Sequence, residues 1–101
     1  MEEKLKEIIN HYGVIPQLKH FQSEVFELTE AIIDYKYVEV YKDSPAEKYH
    51  KNHIAEEIAD VLVMVYQFLE YYEINQVEVC KTMDYKIERQ LERIKKENEN
   101  N

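Results

Sequence analysis

An all-α fold, a bundle of about four helices, is the class this 101-residue sequence predicts, and three features predict it. One glycine and two prolines leave little material for hairpins or phosphate-cradling loops. Long stretches carry apolar residues at three- and four-residue steps, the period of a helix with one buried face. No stretch alternates with period two, and no unit repeats at fixed length. The chain has the size of one domain, with no linker-like or low-complexity segment inside it, so residues 1–101 read as a single domain.

The first helix is expected over about residues 2–11, stopping at Gly13 as a left-handed cap. Pro16 suits the first turn of a second helix reaching about residue 41. Leu18, Phe21, Val25, Leu28 and Ile32 form its apolar arc, which should face a core. The third helix has a clear start: Ser44 can cap, Pro45 fits the first position, and Glu47 stands three after the cap. It should run to about Tyr72. Asn75 and Glu78 repeat that logic for a fourth helix, with a stripe of Cys80, Met83, Ile87, Leu91 and Ile94, before the tail KKENENN, residues 95–101, frays. A handful of long helices in so short a chain leaves apolar faces uncovered, which predicts a core completed by dimerisation.

Composition narrows the function. Asp and Glu number 21 against 13 Lys and Arg, a net charge of −8, which argues against a general nucleic-acid partner. The most apolar run, IADVLVMVYQFL, is too short for a membrane span and carries an Asp. The single cysteine, Cys80, excludes an intramolecular disulfide framework, and no export-type segment opens the chain, so a cytoplasmic location is expected.

Within HIAEEIADVLVMV, Glu57 and Asp60 lie about 60° apart on their helix, beside Ile54, Val61 and Val65. Glu24 and Glu27 repeat that spacing on the second helix, beside Phe21 and Leu28. Either pair alone reads as solvated surface. Packed face to face, the two pairs gather four carboxylates at a half-buried spot that calls for a cation. All-oxygen ligands favour Mg2+, with Mn2+ as a substitute.

These residues resemble the MazG-like nucleotide pyrophosphohydrolases of the all-α NTP pyrophosphatase superfamily. The family pattern E-x-x-E, spacer, E-x-x-D reads here as Glu24-Val-Phe-Glu27 and Glu57-Ile-Ala-Asp60. The likeness extends from IPQLKHFQSEVFELTEAI to YKIERQLERI. Many members carry two adjacent glutamates where this chain has Ser23-Glu24, and the spacer YKYVEVYKDSPAEKYHKN is long. The resemblance implies magnesium-dependent hydrolysis of a nucleoside triphosphate to monophosphate and pyrophosphate in nucleotide-pool house-cleaning. Glu24, Glu27, Glu57 and Asp60 would hold the metal, one glutamate also activating water, and members of the family associate into oligomers.

Lys86, Arg89 and Arg93 share an arc of about 60° on the fourth helix and are candidates to clamp phosphates, against a plain reading as solvated partners of Glu88 and Glu92. Gln17 and His20 precede Glu24 on the same stripe and could reach a base or sugar. Three rival readings stand beside this one. Glu47, His50, His53 and Glu57 on successive turns could suit zinc or iron. The amphipathic helices could make a non-catalytic interaction module. Cys80 could be a nucleophile, though its stripe suits a small core residue better.

Overall fold

The computed structural model describes residues 1–100, and Asn101, the end of the predicted tail, lies outside the described residues. Among the described residues the chain is all-helical: α1 Glu2–Tyr12, α2 Val14–Lys36, α3 Pro45–Tyr71 and α4 Gln76–Glu99. It divides into two compact units, Met1–Tyr71 with the first three helices and Tyr72–Asn101 with the fourth.

In the first unit α2 and α3 make the most extensive packing and α1 lies chiefly against α3. Gln17 meets Gln67, Glu24 meets Asp60, and Tyr35 meets Glu47, which marks α2 and α3 as antiparallel neighbours. Phe21 and Phe68 cross this seam edge to face at 5.8 Å, the geometry their ring quadrupoles favour. The buried apolar side chains are Leu5 and Ile9 of α1, Ala31 of α2 and Met64 of α3.

The buried line of α2 differs from the expected arc. Gln17, Glu24 and Ala31, spaced by seven, are buried, Phe21 and Leu28 are half-buried beside them, and Leu18, Val25 and Ile32 are exposed. The seam runs through the polar edge of the arc, where Gln17 donates to Gln67 across it, while Glu24 meets like charge there.

Gly13 ends α1 by donating its N–H to the Ile9 carbonyl, and it opens α2 as well. Its backbone, φ 90 and ψ 158, lies in the extended mirror region open to glycine, where a left-handed cap was expected. The glycine therefore joins two helices that abut, and Pro16 falls inside the first turn of α2, where its missing N–H leaves no bond broken.

Helix α2 stops at Lys36, short of the expected residue 41, and unwinds through bonds from Tyr37 to Asp34 and from Val38 to Tyr35. A buried carboxylate holds this turn: Glu47 accepts from the Tyr35 hydroxyl at 2.8 Å and from the Asp43 N–H at 3.2 Å. Ser44 Oγ caps α3 by accepting from the Glu47 N–H, as the sequence predicts, but the Glu47 side chain turns to the loop rather than back to Ser44.

Asn75 caps α4 as expected, accepting from Val77 and Glu78. The helix continues through Lys95–Glu99, where fraying was expected, because lysine and glutamate favour helix and neither glycine nor proline interrupts them. Its apolar stripe of Met83, Ile87, Leu91 and Ile94 is exposed, and so is Cys80, against its reading as a core residue. Among the described residues no helix is long and apolar enough to cross a membrane.

Candidate metal centre

The antiparallel register of α2 and α3 brings one carboxylate from the first helix against two from the second. Glu24, Glu57 and Asp60 each offer an oxygen within 4.8 Å of the others. Glu24 is 8% exposed, the Glu57 side chain 12% exposed, and Asp60 opens to solvent. Glu24 stands at the centre of the packed face of its helix, deeper than the core border that periodicity suggests.

Each buried glutamate has a histidine one turn before it on its own helix. His20 Nε2 lies 3.3 Å from Glu24 Oε1, and His53 Nε2 lies 3.2 Å from Glu57 Oε1. A carboxylate can only accept, so the His53 imidazole donates to Glu57 Oε1, while His20 forms a close ion pair with Glu24 Oε1. The other oxygens, Glu24 Oε2 and Glu57 Oε2, are buried without a partner. Burial raises the pKa of Glu24, and the charges of Glu27 and Asp60 raise it further, while His20 works the other way. Desolvated, unpaired carboxylate oxygens facing further negative charge are unfavourable on their own, and a hard divalent cation would relieve them. The donor set therefore fits Mg2+ or Mn2+.

Glu27, expected as a fourth member, is exposed and lies outside this close trio, though near enough for its charge to act on Glu24. The rival set does not gather: Glu47 is engaged by Tyr35 and Asp43, His50 packs edge-on against Tyr49, and only the Glu57 side of the His53 pair reaches the trio. Lys86, Arg89 and Arg93 are exposed on α4, with the Arg89 guanidinium 5.7 Å from the centre of the Tyr85 ring.

A cleft of about 520 Å³ is lined by Glu24, Asp60 and His20 together with Gln17 and Gln67. Gln17 is 6% exposed and donates to Gln67, 1% exposed, at 2.7 Å. Sequence reading singled out Gln17 and missed Gln67. The only available signal was a lone amide at the buried end of VLVMVYQFL, and nothing local links it to a residue 50 positions earlier. Compared with protein-family models, curated proteins and solved structures, the chain matches none.

Proposed function

We propose that this chain is a magnesium-dependent nucleoside triphosphate pyrophosphohydrolase that yields a nucleoside monophosphate and pyrophosphate, the activity implied by its resemblance to the MazG-like proteins. One observation carries the reading: Glu24, Glu57 and Asp60 meet across α2 and α3 with two buried carboxylate oxygens left unpartnered. A divalent ion bound there would neutralise triphosphate charge and lower the pKa of a water.

The chain's own residues divide the remaining work. Glu24, Glu57 and Asp60 supply the ligands, and Glu27 extends the set from the solvent side, where a carboxylate can accept a proton from water. His20 and His53 hold Oε1 of Glu24 and Glu57, which fixes the direction of the other oxygen. Lys86, Arg89 and Arg93 are assigned to the phosphates, and a second copy of the chain is assigned to cover the apolar faces. The cytoplasm, where nucleoside triphosphates are held, is the location that suits this activity.

Assay with a panel of ribo- and deoxynucleoside triphosphates tests the reading. Magnesium-dependent release of pyrophosphate is expected, and release of orthophosphate with a diphosphate would overturn it. The exposed stripe of α4 favours a second reading, a non-catalytic helical interaction module. Such a module has no reason to respond to magnesium.

A further inference from the structure

Two glutamines meeting in the interior are an expensive way to join helices, because each amide must be stripped of water and repaid by hydrogen bonds. An apolar pair would hold α2 to α3 without that cost. The orientation of this pair is set by a third side chain. Gln67 Nε2 lies 3.6 Å from Met64 Sδ, and a thioether can accept but not donate. The amide nitrogen of Gln67 is thereby turned to Met64 and its carbonyl oxygen to Gln17, which must answer with Nε2. The carbonyl oxygen of Gln17 takes no part in this chain of bonds, and Gln17 lines the cleft.

The cleft has the size of a small-molecule site, and Gln17 precedes Glu24 by two helical turns, about 10 Å. A ligand with its charge at the carboxylates and a reach of about 10 Å meets the Gln17 amide, whose nitrogen is already engaged by Gln67. Tyr12 and Ile8 of α1 supply flat and apolar surface along the same cleft.

We infer that Gln17, oriented through Gln67 and Met64, is the base-reading element of the site and accepts a hydrogen bond from an amino or imide N–H on the pairing edge of a nucleobase. This rests on the triphosphate reading given above. Such an acceptor favours a ligand that carries the donor, because a ligand lacking it forgoes the hydrogen bond.

Two analogue pairs test it without altering the protein: ATP against purine riboside triphosphate, which lacks the amino group, and UTP against 3-methyluridine triphosphate, which lacks the imide N–H. With magnesium, kcat/KM for pyrophosphate release should favour the donor-bearing member of at least one pair by about tenfold. The paired replacement Gln17→Met with Gln67→Met keeps shape and leaves no orphaned amide. It should bring that ratio close to one while leaving inhibition by inorganic tripolyphosphate, which has no base, unchanged. Equal use of both members of both pairs by the parent, or an undiminished ratio in a folded paired variant, would overturn the inference while pyrophosphate release upholds the underlying activity. If neither nucleotides nor tripolyphosphate bind in magnesium, the triphosphate reading fails and the inference with it.

Discussion

Glu57 shows how a single charge can oppose the fold and serve the site. Its Oε2 is buried without a partner, close to carboxylates of Glu24 and Asp60. Replacing it with glutamine keeps the shape and removes one negative charge. The metal-free Glu57→Gln protein should melt no lower than the parent, and its stabilisation by magnesium should shrink. For the parent, ligand linkage sets that stabilisation at about 2.7 kcal/mol when free metal is about 100 times its dissociation constant, a shift of several degrees for a domain this size. Thermal melts with and without magnesium check both, and an unchanged magnesium shift would remove Glu57 from the ligand set. Glu24 adds a pH signature. Burial first, then Glu27 and Asp60, raise its folded pKa above the usual 4.5, so the native state holds its proton longer than the unfolded chain. Its contribution is greatest below pH 4.5 and is lost as pH rises through the raised value. Metal-free melts should show that decline, and Glu24→Gln should flatten it.

The helices depend on a few local devices at their ends. At Gly13 an added Cβ would meet only Pro16 Cδ, at 3.7 Å, so space is not the obstacle; φ +90 is. Gly13→Ala should lower stability by about 1–3 kcal/mol through backbone strain alone, read from denaturant midpoints at constant slope. Asn75→Ala removes the acceptor for two N–H groups of α4 and should reduce stability by about 1 kcal/mol, with loss of helicity by circular dichroism. The turn after α2 depends on Glu47, whose carboxyl is held below its usual range chiefly by the Tyr35 hydroxyl. The lowered pKa means that its stabilisation is present above pH 4.5 and is lost as pH falls through the folded value. The parent should therefore exceed Tyr35→Phe in stability at neutral pH, and the difference should narrow on acidification. A constant difference across that range would show that the hydroxyl acts by packing alone.

For the molecule as a whole, the uncovered apolar surface is the governing fact. Phe26, Ile33 and Leu62 of the first unit are exposed, as is the stripe of α4. The first unit's buried apolar side chains are few for its length. Association of two copies would bury these faces, and sedimentation should show at least a dimer at micromolar concentration. With a net charge of −8 the copies repel, so added salt should strengthen association until the charges are screened. Ile87→Lys should shift the distribution toward monomer if α4 contributes to the contact. A parent that sediments as a monomer at all salt concentrations would contradict the dimer.

What the sequence alone determined is whatever local chemistry sets. Helix spacing, the near absence of glycine and the caps at Ser44 and Asn75 are short-range effects, and the four helices of the described residues follow from them with ends within a few residues, apart from the C-terminal ends of α2 and α4. Placing Glu24 opposite Glu57 and Asp60 was also legible, because matching carboxylate spacings sit inside apolar stripes. Only the tertiary structure decided which arc of α2 is buried. Hydrophobic pattern favoured Leu18, Val25 and Ile32, yet Gln17, Glu24 and Ala31 occupy the seam. Partners such as Gln67 for Gln17, and Tyr35 for Glu47, likewise emerged only from the packing. A polar side chain can be buried when a complementary group meets it from another helix, and that meeting depends on long-range register, which no local window of sequence contains.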